Sequence, residues 1–168
     1  MRPEQLIHLT RPFAGHLVHT NPSGGGSYVS HSAVNEKLLA VVGPFSFEKV
    51  EVLRGYVPGI EPNPQGNSKR AKQGRPALEN AVVGYIGRLT CKVDGVVVSV
   101  EEVGDCEDPH NWPHDGARLK DAMSDSLKRC AMRLGVGLHM WSQYQGKSEF
   151  FIHDYLLKQN GETAGTDS

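Results

Sequence analysis

The sequence predicts an α+β fold: an antiparallel three-stranded β-sheet (a β-β-β-α core) packed against a long helix, with an N-terminal helix pair. Three observations point there. Residues 45–56 and 78–103 are rich in aromatic and β-branched side chains, the composition of strands. Asp94-Gly95 divides the second run with the strongest short hairpin signal in the chain, because both positions tolerate positive φ. Leu119, Met123, Leu127, Cys130 and Leu134 then fall on one stripe of a helix over about 116–134, which Gly135 ends.

The remaining elements follow in order. Pro3 to Leu9 is a short helix candidate, with Leu6 and Leu9 three apart. In PFAGHLVHTNPSGGG, Pro22 and Gly24-Gly25-Gly26 argue against regular structure and mark a flexible turn. A helix follows from an N-cap at about Ser32 to Val42, with Val34, Leu38 and Val41 on one face and Gly43-Pro44 as its stop. Phe45 to Tyr56 reads as a strand whose alternation breaks near Glu48-Lys49, the mark of a bulge. Residues 58–76, with four prolines and three glycines, read as a long mobile loop. A last helix is expected near Glu149 to Lys158. Residues 1–159 read as one domain and 160–168 as a disordered tail.

No apolar run reaches the roughly 18–20 residues a membrane span needs, and no basic-then-apolar leader opens the chain. The expectation is a soluble cytoplasmic protein with no membrane partner. Cys91, Cys106 and Cys130, odd in number and widely spaced, read as reduced thiols. The net charge of −1 conceals segregation. Lys69, Arg70, Lys72, Arg75, Arg88 and Lys92 face only Glu79 within residues 62–93, whereas residues 94–125 carry nine acids and two bases. Residues 126–141 hold Lys128, Arg129 and Arg133 with no acid. Such segregation builds a basic stripe, or opposed surfaces that meet between subunits.

On the long helix, helical spacing turns Lys128, Met132 and Arg129 away from the apolar stripe, which predicts an outer face for them; Arg133 falls at the stripe's edge. Adjacent cations there can hold successive phosphates by releasing condensed counterions. A solvated helix face fits the same residues.

The stretch GARLKDAMSDSLKRCAMRLGVGLHMW resembles the signature helix of the Rad-fifty-two family of single-strand annealing proteins, especially its short bacterial and phage members. Asp125-Ser126-Leu127-Lys128-Arg129, followed after five residues by Gly135-Val136-Gly137, matches that helix and its turn. SYVSHSAVNEKLLAVVGPFSF is similar to the family's earlier segment, an aromatic before a helix closed by Gly. The resemblance spans roughly residues 5–141. It implies a homo-oligomeric ring or arc that binds single-stranded DNA in a basic groove and promotes annealing in recombination and repair, without ATP, cofactor or covalent catalysis. It also implies that Lys128 and Arg129 face the DNA and that Tyr28 lies near the same groove. Such annealers often accompany an exonuclease. The chain departs from the pattern at Met132, where vertebrate members carry an Arg, and at Asn21, where another Arg is expected. Arg133 is the neighbouring candidate for the first.

Independently of the resemblance, Lys69, Arg70, Lys72 and Arg75 could order a Pro/Gly-rich loop around a second strand, or be a solvated tip. Lys120, Arg88 and Lys92 are further cationic candidates, and Tyr28 fits either a base-stacking aromatic or a helix cap. The alternative function is a metal-dependent nuclease. Cys106, His110 and His114, with Asp105, Glu107 or Asp108, have one metal-like spacing on a proline-punctuated loop. No GxxxxGK[ST] run is present.

Overall fold

A computed structural model describes residues 4–20, 26–141 and 152–161, with the side chains of Arg70 and Trp141 outside the description. In chain order the elements are α1 (Glu4–Thr10), β1 (Val18–Thr20), β2 (Ser27–Val29), α2 (His31–Val42), β3 (Ser46–Val57), α3 (Lys69–Gln73), β4 (Leu78–Val93), β5 (Val96–Asp105), α4 (Asp115–Arg133), α5 (Leu138–Trp141) and α6 (Ile152–Gln159). The fold is α+β: a three-stranded antiparallel sheet, ordered β3-β4-β5, packs against α4, with helices at the N-terminus. The proposed tail beyond residue 161 and the expected helix start at Glu149 lie outside the described residues.

The chain divides into two compact units, to which β4, β5 and α4 each contribute residues. The first comprises residues 1–47, 88–101 and 128–168. Its core is apolar, with Leu9, Leu38, Leu89 and Cys130 fully buried and Val34 and Leu134 nearly so. α1 packs on α2 and on α6. The Asp94-Gly95 turn closes the hairpin with both φ values positive (48° and 86°), as their residue types predict. Asp94 has a second use that the hairpin signal does not reveal. Its carboxylate accepts from the backbone N–H groups of Gln5 (2.9 Å) and Leu6 (3.2 Å), and its own N–H donates to Gln5 Oε1 (2.6 Å). The orphan amides of α1 are thus capped from 89 residues away.

α2 begins earlier than its sequence suggests. The N-cap is Ser30, whose Oγ accepts from Ala33 N–H, and Ser32 lies inside the helix. Gly43, at φ +74°, ends it. The segment expected to lack regular structure forms a two-stranded antiparallel ribbon, β1 with β2, in which Val18, His19 and Thr20 face Val29, Tyr28 and Ser27. Three-residue strands are too short to give an alternation signal, which is why the proline and glycines dominate that reading.

The second unit comprises residues 48–87 and 102–127. Here α4 lies so close to β5 that a methyl group at Gly104 would overlap the Ala122 carbonyl oxygen and the Ser126 amide. Ala122 and Ser126 are fully buried at this approach. The Ser126 hydroxyl accepts from Gly87 N–H (3.1 Å) and donates to the Glu102 carbonyl (2.8 Å), joining helix side chain to strand backbone. The Asp125 carboxylate accepts from Asp105 N–H at 3.1 Å. The expected stripe is therefore corrected in this half of the helix. Leu119 and Met123 are half-buried, while Arg118, Ala122 and Ser126 face inward. Close approach selects small residues, to which an apolar period is blind.

Candidate nucleic-acid interface

Lys128, Arg129 and Arg133 occupy the last turns of α4, held by buried Leu127, Cys130, Ala131 and Leu134. Cys130 Sγ donates to the Val100 carbonyl at 3.6 Å. α4 ends in a turn in which Gly135 N–H reaches the Met132 carbonyl (2.8 Å) and Val136 N–H reaches that of Ala131 (3.1 Å). Gly135 has φ +92°, which favours glycine there. Basic side chains in this last turn suit the negative end of the helix dipole.

Lys128 and Arg129 differ from the outer-face expectation, and Arg133 from its expected place at the stripe's edge. Lys128 and Arg129 are half-buried, and Arg133 is exposed. Buried Ala122 and Ser126 set the inward face of the helix, and Arg129 follows them at helical spacing, so it lies on that face's flank. Arg129 and Arg133 each have a partner in the fold. The Lys128 side chain makes no hydrogen bond or ion pair to another described residue.

Tyr28 belongs to the same unit, on the β1–β2 ribbon rather than at a helix entrance. It is 48% exposed, so the reading of a buried cap is corrected. Its cross-strand partner is His19, with ring centroids 5.3 Å apart at 36°. The sequence shows His19 close to Asn21 but not its pairing with Tyr28, which the register of Val-His-Thr against Ser-Tyr-Val supplies. Asn21 lies outside the described residues.

The loop cations belong to the second unit. Residues 58–76 hold a short helix and internal backbone hydrogen bonds, where their composition suggests a loop without regular structure. Ile60 and Arg75 exchange backbone hydrogen bonds (2.7 and 2.8 Å), Asn63 N–H reaches the Ala71 carbonyl (2.8 Å), and Ser68 Oγ caps α3 through Ala71 N–H (3.0 Å). Pro and Gly here fit specific turns: Gly74, at φ +65°, lies against Ile60 and Pro62 where no side chain fits. Lys69 and Lys72 are exposed, Arg75 is half-buried, and the Arg70 side chain lies outside the description. Lys120 is exposed on α4 in this unit. In the first unit, Arg88 pairs with Glu101 across the hairpin (Nη2–Oε1, 2.6 Å), and Lys92 is exposed.

The metal-like spacing disperses on folding. Burial, reinforced by Asp121, pushes the Cys106 thiol up to about 11. His110 Nε2 contacts the Pro58 carbonyl (2.9 Å), and His114 Nδ1 accepts from Ala117 N–H (3.2 Å) at the start of α4. Among the described residues, no three His, Cys, Asp or Glu side chains come together as a metal site.

The polar centre of this region is Asp115 instead. Its carboxylate binds Arg54 (2.7 Å), Arg118 (3.0 Å) and Val82 N–H (3.2 Å), with the Arg54 bond foremost in holding its pKa below the usual value. Arg118, only 7% exposed, also donates to the carbonyls of Pro109 and Trp112. It orders the acidic loop as it enters α4. Among the described residues no helix is long and apolar enough to cross a membrane. No protein-family model matches the chain, and no curated protein matches it.

Proposed function

We propose that this chain binds single-stranded DNA and promotes annealing of complementary strands, as a ring or arc of identical subunits, without nucleotide or metal cofactor. The observation that carries the reading is the cationic end of α4. Lys128, Arg129 and Arg133 stand within two turns, no acid occurs in residues 126–141, and the Lys128 side chain has no partner among the described residues. Cations so placed neutralise a phosphate backbone, and the exposed Tyr28 of the same unit offers a ring to its bases. The resemblance of residues 125–137 to the annealing family's signature helix supports the same reading.

In this mechanism the groove cations hold one strand extended with its bases accessible. Lys69, Lys72 and Arg75 of the 58–76 segment, with Arg70 beside them in sequence, attract the second strand. Watson–Crick pairing supplies the specificity, and because duplex formation is downhill no fuel is needed. Sheet edges β3 and β5, each with one neighbouring strand among the described residues, suit assembly of subunits edge to edge. The nuclease alternative gains no observation, since Cys106, His110 and His114 form no metal cluster among the described residues.

The test is annealing of labelled complementary oligonucleotides in EDTA, with affinity for one strand measured across salt. The reading expects duplex to accumulate without metal and affinity to fall steeply between low and physiological salt. Loss of full-length substrate on adding magnesium, manganese or zinc, or a flat salt profile, would overturn it.

A further inference from the structure

The β1–β2 ribbon carries two exposed rings side by side, and the backbone register explains why. Val29 is buried and faces half-buried Val18, so their neighbours His19 and Tyr28 must project from the opposite face of the ribbon. The rings are paired at 5.3 Å between centroids, and both residues are exposed. Neither side chain makes a hydrogen bond to another described residue. Thr20 and Ser27, the next cross-strand pair, alternate back to the Val18–Val29 face and leave the rings as the pair on theirs. A ribbon this short gains little from displaying aromatic surface to water. Two adjoining exposed rings suit a flat heterocycle.

We propose that His19 and Tyr28 together form a stacking platform for an unpaired nucleobase, so that the protein reads the base faces of a single strand as well as its phosphates. The proposal rests on the single-strand reading above and adds His19 as a binding residue. Stacking is indifferent to base identity but needs an exposed base face, which a duplex hides. The platform therefore favours unpaired strands over duplex, and releases a base once it has paired.

The experiment uses the full chain with two ligands of equal length and charge, oligo-dT and an abasic deoxyribose-phosphate chain. The expected result is tighter binding of oligo-dT by wild type. His19→Ala and Tyr28→Ala should each weaken oligo-dT binding by about tenfold, and the double variant by less than the product, because the rings act as one surface. Abasic binding and the salt slope should stay unchanged in all three variants, which also reports that they fold. His19→Phe should retain most of the affinity. Equal, salt-sensitive binding of both ligands by wild type would overturn the platform while leaving the phosphate reading intact. No binding of either ligand at low salt would overturn both.

Discussion

The two units of this chain are held together by different chemistry. The first relies on apolar burial, with α1, α2 and the hairpin end contributing Leu9, Leu38, Leu89 and Val34, and a single distant cap from Asp94. The second has fewer large buried side chains. It depends on the close approach at Gly104, on Ser126 bonded into strand backbone, and on Asp115 gathering Arg54, Arg118 and Val82. Apolar packing tolerates volume-conserving change, whereas geometry of the second kind fails when one atom is added or one partner lost. The same contrast runs through the proposed DNA contacts. The first unit offers a cationic helix end and a ring pair, the second the 58–76 segment with exposed lysines.

The largest effect should come from Gly104→Val. Its branched side chain has no space beneath α4 and should destabilise the protein by at least about 3 kcal/mol, measured as a lowered urea midpoint. A wild-type midpoint would mean that helix and sheet are less closely apposed than described. Asp115→Ala comes next, leaving buried Arg118 one partner short and Val82 N–H unsatisfied. It should cost about 2–3 kcal/mol. In the first unit Asp94→Ala should cost about 1–2 kcal/mol, through lost capping of α1 and a residue less suited to positive φ. Hydrogen exchange should localise the change to α1 and the hairpin turn; protection lost only around α4 would break the assignment.

The units should also part under acid. Burial, with Lys37 for His139 and with Arg11 ahead of Lys37 for His153, holds both imidazoles below the usual histidine value. Lys37 itself, half-buried and beside Arg11, is lowered to about 8 while donating to the Arg11 carbonyl and standing 4.5 Å over the Phe13 ring. Because these histidines are protonated more readily unfolded than folded, their contribution is complete above about pH 6.5. It is lost as pH falls through the lowered folded values. Asp115, also lowered, contributes above its unfolded value near 3.8 and loses that contribution only as pH drops further. Exchange protection of α1 and α6 should therefore decline at milder acidity than protection around β3 and the start of α4. His139→Gln with His153→Gln should flatten the first decline and leave the second.

This contrast also explains what the sequence disclosed. α2, the β4–β5 hairpin and α4 were legible because periodicity and turn chemistry register long apolar faces and an Asp-Gly pair. The ribbon holding His19 and Tyr28 was not, since three residues make no period. The helix and turns at 58–76 were not legible because prolines and glycines mark tight, specific turns without giving a period. At the candidate site, the cations were visible by type, but their exposure was not. Small residues Gly104, Ala122 and Ser126 fix which way α4 faces, and that placed Arg129 on a flank and left Arg133 the more exposed.

If the cations ending α4 hold the backbone of a single strand, removing two of them must release it. The direct measurement is strand annealing by Lys128→Ala/Arg129→Ala, with assembly followed by mass photometry. Annealing should vanish while the oligomer persists and stability changes little. Full annealing by an intact oligomer of that variant would contradict the account.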